Sequence, residues 1–262
     1  MAGPPPFSLQ ARGATDVGRR REQNEDAFLV DLHTSLFIVA DGMGGHAGGG
    51  TASRIAVRTI QERVRAAFDA SPQSFRSPTV ADASHLPVLL RLAVEAACKA
   101  IYGAAQEDPS LAGMGTTVTA ALLVGRSAFV AHVGDSRCYL LRNGRIFQIS
   151  EDHSLVNEQL KSGAITEEEA RQSRFRNIIT RSVGFEEEVQ VDVVGMEVEP
   201  GDALLICCDG LSNMITDAEI LEVVTGTRLA EAPERLVALA NERGGDDNIT
   251  VIVVRVDGTA RS

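Results

Sequence analysis

Short, continuous runs of apolar residues alternate along the chain with segments whose apolar residues recur every three or four positions. A continuous run is typical of a strand buried on both faces, and the wider spacing is typical of an amphipathic helix. The continuous runs predict strands at 27–32, 35–40, 116–124, 127–133, 137–142, 145–150, 189–198, 202–208 and 248–256. The helical spacing predicts helices at 48–69, 86–107, 217–224 and 229–243.

The order of these elements indicates the fold class. Strands come in groups, and some are joined by hairpin-length connections such as Asn143–Gly144, which is a strong signal for a tight turn. Helices do not alternate with single strands, as they would in a parallel α/β fold. The pattern therefore predicts an α+β fold with antiparallel sheets.

The remaining segments lack both patterns. Residues 1–10 are Pro-rich at their start and are predicted to be a flexible leader, and 258–262 a tail, which leaves one domain at 11–257. Residues 71–85 are rich in Pro and Ser and predict a loop. Residues 151–184 are polar and Glu-rich, which is typical of a surface excursion.

Carboxylates stand at the ends of the predicted strands. Asp41, Asp135 and Asp209 each follow an apolar run, and Asp26 and Asp247 each precede one. One aspartate in such a place is usually a cap or turn residue, but five of them could converge at one edge of the sheets. Uncompensated, they would repel one another and their pKa values would rise. Divalent cations would remove the repulsion, and an all-oxygen ligand set suits Mg²⁺ or Mn²⁺.

The glycine-rich segment DGMGGHAGGG, at 41–50, has two interpretations. It matches the loose GxGxxA pattern of a dinucleotide-binding loop through Gly42, Gly44 and Ala47. Asp41 would oppose a pyrophosphate, however, and the position about 20 residues later lies inside a predicted helix instead of at a strand end. The interpretation we favour is that glycine lets the backbone approach a metal, with the Gly42 carbonyl as a ligand.

Charge and cysteine usage narrow the class of protein. The chain has 25 basic and 36 acidic residues, a net charge of −11, which disfavours binding to nucleic acid. Its cysteines show no CxxC spacing and lie in apolar stretches, which predicts buried, reduced thiols and a cytoplasmic location; they are Cys98, Cys138, Cys207 and Cys208. The N-terminus lacks the apolar core of a signal peptide, and no apolar run is long enough to span a bilayer, so no membrane partner is expected.

Eight segments, in order, resemble the motifs of the protein phosphatase 2C family. They are TDVGRRREQNEDAF (15–28), VADGMGGHAGG (39–49), GMGTT (113–117), VGDSRCYLLRNG (133–144), DHSLV (152–156), RNIITRSVG (176–184), CDGL (208–211) and GDDNITVIVV (245–254). The subtype resembles the bacterial single-domain serine/threonine phosphatases, and the resemblance covers residues 12–256. It implies a four-layer αββα sandwich, in which two antiparallel sheets are flanked by helices, and a centre of two Mn²⁺ or Mg²⁺ ions.

The resemblance also assigns the core of that centre. Asp41 should bridge both ions, and the Gly42 carbonyl should bind one of them. Asp209 and Asp247 should complete the other ion's ligands. The implied reaction is hydrolysis of phosphoserine and phosphothreonine in proteins by a water that the two ions activate, reversing a Ser/Thr kinase.

Further residues take their roles from the same resemblance. Glu25 and Asp26 match an acidic pair that ligates mainly through water. Asp135 matches the aspartate of a third metal site, with Asp209 shared. Arg21 matches the arginine that binds the substrate phosphate.

Some positions depart from the family pattern. Animal members carry a histidine, proposed as the general acid, where this chain has Met43. His46, three residues later, is the candidate in its place, either as the acid or as a residue that fixes the loop. His153 is predicted to be structural. A flap is implied at about 155–182, but its SRFRN sequence lacks the His-Pro that often precedes the Arg-Asn pair, so flap-based substrate selection is not transferred.

The alternative function is a catalytically inactive binding module on the same fold, which would show losses among the metal aspartates. Cysteine-based phosphatases are excluded because no cysteine has an arginine six residues later. The unrelated two-metal phosphatases are excluded because their GDxHG and GNH signatures are absent, as is the P-loop pattern. The expected partners are phosphorylated proteins, with a Ser/Thr kinase as a candidate among them, and the expected oligomeric state is a monomer.

Overall fold

The computed structural model describes residues 7–44, 48–76, 83–175 and 177–258. Its strands are β1 (Phe7–Asp16), β2 (Ala27–Asp31), β3 (Leu36–Ala40), β4 (Gly42–Met43), β5 (Gly115–Thr116), β6 (Val118–Val124), β7 (Ser127–Val133), β8 (Arg137–Arg142), β9 (Arg145–Gln148), β10 (Asp192–Glu197), β11 (Ala203–Cys207) and β12 (Ile249–Gly258). Its α-helices are α1 (Gly48–Ala70), α2 (His85–Glu107), α3 (Leu155–Lys161), α4 (Glu167–Gln172), α5 (Asp209–Ser212), α6 (Asp217–Gly226) and α7 (Ala232–Glu242).

The strands form two large sheets and one small pair. The first sheet has the order β1-β12-β11-β8-β9, the second has the order β10-β7-β6-β3-β2, and β4 pairs with β5. Every pairing is antiparallel. The antiparallel α+β prediction is therefore confirmed.

Three apolar clusters show that the molecule has four layers. One cluster lies between α1, α2 and the second sheet and includes Ile60 and Leu90. The next lies between the two sheets and includes Phe37 and Ile206. The last lies between the first sheet and α5, α6 and α7, and includes Leu236. Helices thus cover the outer face of each sheet, which confirms the αββα sandwich.

Burial on both faces explains the continuous apolar runs. All five residues of β3 are buried, with Leu36 and Ile38 facing the helices and Phe37 and Val39 facing the other sheet. Burying each large apolar side chain contributes about 1.5–3 kcal/mol. Strands of this kind are apolar throughout because neither face is exposed to water.

The predicted flexible leader is wrong for residues 7–10, which belong to β1. This strand pairs with β12 along its whole length, from Phe7 opposite Gly258 to Asp16 opposite Ile249. Leu9 and Ala11 point into the core between the sheets. Polar residues and a glycine interrupt the apolar residues of this edge strand, so it lacks a continuous apolar run. Gly258, assigned to the tail, is likewise the last residue of β12.

Several other boundaries also differ from prediction. The loop predicted at 71–85 contains a 3₁₀-helix at Pro72–Arg76, and its last residue, His85, begins α2. The strand predicted at 189–198 begins only at Asp192, where pairing with β7 starts. The segment between Ser154 and Ile179, two residues that pair with each other, carries the short helices α3 and α4.

Candidate metal centre

Strand register brings three of the predicted aspartates to one edge of the second sheet. The start of β2 lies beside the end of β3, which in turn lies beside the start of β6. The start of β6 lies beside the end of β7. Asp26, Asp41 and Asp135 therefore leave their strands at the same edge, although they are far apart in sequence.

The first sheet brings the other two aspartates to the same place. The end of β11 lies opposite the start of β12, so Asp209, which begins α5, comes near Asp247. The electrostatic influence of Asp209 and Asp247 reaches both Asp26 and Asp41 on the other sheet. The expected convergence of five strand-end carboxylates is thus present in the fold.

Several oxygens in this cluster lack a hydrogen-bond partner. The carboxylates of Asp26 and Asp41 and the Cys208 Sγ atom offer atoms that all lie within 4.8 Å of one another. Asp26 Oδ1, Asp135 Oδ1 and Glu25 Oε1 are buried and have no partner among the described residues. Buried polar atoms of this kind are rare in folded proteins and call for a missing partner. Carboxylate oxygens facing one another fit a hard divalent cation.

The pKa values of four carboxyls in the cluster, Asp26, Asp41, Asp135 and Asp209, are raised, as expected for acids crowded together. Burial is the largest cause for each of them, and charged neighbours add to it. The pKa rises to about 7 for Asp26, to about 8 for Asp135 beside Asp209, and to about 6 for Asp209 beside Asp247. The pKa of Asp41 lies well above its ordinary value, with Asp26 as the strongest charged neighbour. Positive charge placed among these groups would remove the cost of ionising them.

Gly42 is required because three pieces of backbone meet there. A Cβ atom at this position would lie 2.2 Å from the carbonyl oxygen of Gly49 and 2.5 Å from that of Glu25. Gly42–Met43 also forms β4, paired with β5. The close approach that glycine permits is therefore to the start of α1 and to the segment before β2. It ties the Asp41 loop to the acidic pair at Glu25 and Asp26.

Two threonines hold the backbone of Asp41. Thr117 donates its backbone N–H to the Asp41 carbonyl at 2.9 Å, and its Oγ1 accepts from the Asp41 N–H at 3.0 Å. Thr116 Oγ1 donates to the same carbonyl at 2.8 Å. Sequence reasoning assigned these residues no role, although both belong to the GMGTT motif. These hydrogen bonds hold the Asp41 backbone in place without using its carboxylate.

Asn248 is a second residue that sequence reasoning missed. Its side chain accepts from the Glu25 N–H at 2.8 Å and donates to the carbonyls of Val17 and Gln23 at 3.0 and 2.9 Å. Thr250, two residues later, donates to Asp26 Oδ2 at 2.6 Å. The start of β12 therefore positions the acidic pair. The only signal was the GDDNIT motif, which places a side-chain amide next to an aspartate.

Arg21 lies at the exposed side of the carboxylates. Its Nη2 atom donates to Asp247 Oδ2 at 2.7 Å, while 53% of its side chain remains exposed. The hydrogen bond to Asp247 and the charges of Asp41 and Glu25 raise the pKa of the guanidinium. A cation in this place can meet an anionic ligand from solvent. The other predicted catalytic residue, His46, lies outside the described residues.

His153 supports the loop that carries Asp135. Its Nδ1 atom accepts the Gly134 N–H at 3.0 Å, so the ring proton is on Nε2, which lies 3.0 Å from Asp192 Oδ2. Burial lowers the pKa of His153, which keeps the ring neutral. Arg181 also donates to Asp192, at 2.9 Å. These contacts favour the structural role expected of His153.

The cysteines agree with the expectation from the sequence. All four cysteines are free and buried. Burial raises the pKa of Cys138 to about 12, so its thiol stays protonated. Within the described parts of the chain, none of the helices has the length and apolar character needed to cross a membrane.

Comparisons with known proteins all point in one direction. A family profile described as protein phosphatase 2C matches residues 15–249. The serine/threonine phosphatase stp of Listeria monocytogenes is 37% identical over 257 residues, 97% of this chain and 98% of that protein. The serine/threonine phosphatase PstP/Ppp of Mycobacterium tuberculosis superposes with a TM-score of 0.85 at 36% identity, over 95% of this chain and 99% of that one. A structure of the PstP catalytic domain in complex with two manganese ions has a TM-score of 0.83 at 35% identity, over 96% of this chain and 99% of that one.

Proposed function

This chain belongs to the protein phosphatase 2C family, and we propose that the strand-end carboxylates described above hold its divalent cations. The chain is a metal-dependent protein serine/threonine phosphatase. The observation that carries the proposed site is the set of buried carboxylate oxygens at one edge of the sandwich that find no hydrogen-bond partner among the described residues. Mn²⁺ or Mg²⁺ fits these all-oxygen donors.

The proposed core ligands are Asp41, shared between two ions, the Gly42 carbonyl, Asp209 and Asp247. Two observations support this set of ligands. The charges of Asp209 and Asp247 raise the pKa of Asp41. Threonines hold the Asp41 backbone and leave its carboxylate available. Glu25 and Asp26 would act mainly through water. Each of those two offers one unpartnered oxygen.

Asp135 is the proposed ligand of a third ion, with Asp209 shared. Its side chain is only 7% exposed, yet its Oδ1 atom has no partner in the described chain. After burial, the charge of Asp209 is the largest cause of the raised pKa of Asp135. A cation between these two carboxylates would satisfy both.

The residues of this chain divide the remaining chemistry among them. When bound, divalent cations would supply an acidified water as nucleophile and offset charge on the phosphoryl oxygens. Arg21 binds the substrate phosphate through charge-assisted hydrogen bonds, exchanging its contact with Asp247 for the phosphoryl oxygens. Met43 carries no proton to donate, so we assign the protonation of the leaving serine or threonine oxygen to His46.

The inactive binding module has no support. Each aspartate that the family motif requires is present, and the proteins that match the chain are phosphatases. For the biological setting, we propose a monomer that acts in the cytoplasm and reverses a Ser/Thr kinase. The four free thiols support a reducing compartment.

The test measures phosphate release from a phosphothreonine peptide. We expect activity in Mn²⁺ that EDTA abolishes and that Asp41→Asn removes. Arg21→Ala should lower kcat/KM about 10- to 100-fold, because hydrogen bonds to charged groups contribute about 1.5–3 kcal/mol. The control is Arg20→Ala, whose exposed side chain pairs loosely with Asp246 at 3.8 Å and should leave the rate unchanged. Activity that survives EDTA, or that Asp41→Asn leaves intact, would overturn the proposed site.

A further inference from the structure

A cavity of about 380 Å³ lies beside the metal centre, between β4 and the segment that follows the α3–α4 excursion. Its apolar lining comes from Met43, Ile179, Phe185 and Val189. Two carboxylates, Glu186 and Glu188, complete its rim. None of the roles assigned so far uses this cavity.

Hydrogen bonds hold the cavity at a fixed place relative to Asp41. Val183 and Thr116 exchange backbone hydrogen bonds of 2.8 and 3.0 Å, which attaches the cavity wall to β5. Thr116 also donates to the Asp41 carbonyl. Met43, on the cavity wall, is two residues from Asp41, so their Cα atoms are at most about 7 Å apart.

The charge of the cavity is negative and unpaired. Glu186 and Glu188 are exposed and form no ion pair within the described part of the chain. Arg181 lines the same cavity, but its Nη1 atom lies 2.9 Å from Asp192 Oδ1 and donates to the Gln190 carbonyl. The Phe185 side chain is 60% exposed beside these carboxylates, an unusual position for a large aromatic residue.

We propose that this cavity binds a lysine or arginine of the phosphoprotein substrate, about two residues from the phosphorylated serine or threonine. The alkyl stem of such a side chain would cover the apolar lining, and its charged head would reach Glu186 and Glu188. An extended peptide rises about 3.3 Å per residue, so two residues span about 7 Å, the same as the bound on the separation of Asp41 and Met43. The proposal rests on the proposed function, because it takes the phosphate to be bound at the carboxylate cluster.

The experiment compares phosphothreonine peptides with arginine, alanine or glutamate two residues before or two residues after the phosphothreonine. We expect kcat/KM about tenfold higher for arginine than for alanine at one of these two positions, since each of two exposed ion pairs contributes a factor of about two to five. The double variant Glu186→Gln/Glu188→Gln should reduce this preference to about onefold to twofold. Phe185→Ala should reduce it in part, by removing apolar lining.

The control is Glu187→Gln/Glu242→Gln, which removes the same net charge from two exposed positions that do not line the cavity. It should keep the preference of the wild-type protein. Equal loss of preference in both double variants, or no preference for arginine in the wild type, would overturn the proposal. Hydrolysis of p-nitrophenyl phosphate, which has no flanking residues, should be unchanged in every variant. Its absence from the wild type in Mn²⁺ would instead contradict the proposed function.

Discussion

Strand β11 carries an aspartate at each end, and the two ends of the sandwich treat their aspartates differently. Asp202, just before the strand, is 3% exposed. It accepts two hydrogen bonds from Arg142, at 2.8 and 2.6 Å, and one from the Glu199 N–H at 2.7 Å. Its charge is met entirely by groups of the protein, so this end of the molecule needs no external ion.

At the opposite end of the sandwich, the carboxylates are not fully paired with hydrogen-bond donors in the described structure. Asp209, just after β11, accepts a hydrogen bond from Asn213 at 3.1 Å but lies among other carboxylates, and burial beside Asp247 raises its pKa to about 6. Asp135 is buried almost as deeply as Asp202, yet one of its oxygens has no partner in the described structure. Burial alone does not distinguish the two ends; the supply of donors does. The end where buried carboxylate oxygens lack donors in the described parts of the chain is the end where we propose cations.

The largest expected effect comes from Asp209→Asn, which changes the carboxylate cluster directly. We expect at least a 10³-fold loss of activity, because a metal ion contributes several kcal/mol to catalysis. The metal-free variant should nevertheless be more stable than the metal-free wild type, since the amide removes one repelling charge from the cluster. Phosphate release and thermal unfolding in EDTA measure the two effects.

Mn²⁺ provides the control for this prediction. It should raise the melting temperature of the wild type through binding to the folded state, and it should raise that of Asp209→Asn much less. A metal-free variant less stable than the wild type would show that the cluster is held together by its own hydrogen bonds, and the contrast with Asp202 would fail.

The next effect concerns His132, a buried residue of β7 at the carboxylate end. Its Nδ1 atom accepts from Thr119 Oγ1 at 2.9 Å, and its Nε2 atom donates to the Glu151 carbonyl at 3.0 Å. Burial, with a smaller effect of His153, lowers its pKa to about 4, while Asp152 acts in the opposite direction. The unfolded chain therefore takes up a proton below pH 6.5, and the folded protein does so only below about pH 4.

The direction in which stability changes with pH follows from this difference in proton uptake. Because the unfolded state binds more protons in this window, stability is full above pH 6.5 and falls as the pH is lowered towards 4. The loss should reach about 3 kcal/mol, at about 1.4 kcal/mol per pKa unit. His132→Gln places a non-titrating amide near the Nε2 position, where it can still donate to the Glu151 carbonyl, so urea unfolding of this variant should depend less on pH. Equal slopes for the two proteins would contradict the prediction.

Acid acts in the opposite direction on the carboxylates of the same end. Burial beside Asp209 raises the pKa of Asp135 to about 8, so in the metal-free protein its contribution to stability is full below the ordinary value of 3.8 and is lost as the pH rises through about 8. The difference between wild type and His132→Gln isolates the histidine from this opposing effect.

How far the sequence predicts the molecule depends on where each contact comes from. The bounds of β7 and β8 were predicted to the residue, because both faces of these strands are buried and their apolar runs are continuous. The edge strand β1 was missed, because polar residues such as Gln10 and Arg12 interrupt its apolar positions. Local pattern therefore predicts strands with continuous apolar runs well, including the edge strand β2, and misses a strand whose apolar run is interrupted.

The same distinction applies to the site. The aspartates could be identified because each stands at the end of an apolar run, a local signal. The groups that hold them could not: Asn248 bonds to Glu25, 223 positions away, and Thr117 bonds to Asp41, 76 positions away. These contacts depend on the register between distant strands, which no local pattern encodes.

A smaller effect is expected from His46→Gln. As the proposed acid, His46 should contribute about 10²-fold to kcat on a phosphothreonine peptide, whose alkoxide leaving group needs a proton. The rate on p-nitrophenyl phosphate should stay within about twofold, because its acidic leaving group departs without protonation. His85→Gln, at an exposed position, is the control. Equal losses on both substrates would assign His46 to fixing the loop instead.

The smallest effect is expected at the other end of β11, where Asp202 is paired with Arg142. Asp202→Asn should destabilise the protein by about 2 kcal/mol, because it leaves Arg142 without its charged partner. The full cost of breaking a buried pair is about 3–5 kcal/mol, and the partial exposure of Arg142 reduces it. Activity per folded molecule in Mn²⁺ should be unchanged. Asp202 and Asp209 lie on either side of the five-residue strand β11. The same substitution would then have opposite effects at these positions. Asp202→Asn lowers stability and leaves activity unchanged, whereas Asp209→Asn lowers activity without lowering stability. Loss of activity in folded Asp202→Asn would show that the two ends are coupled through β11.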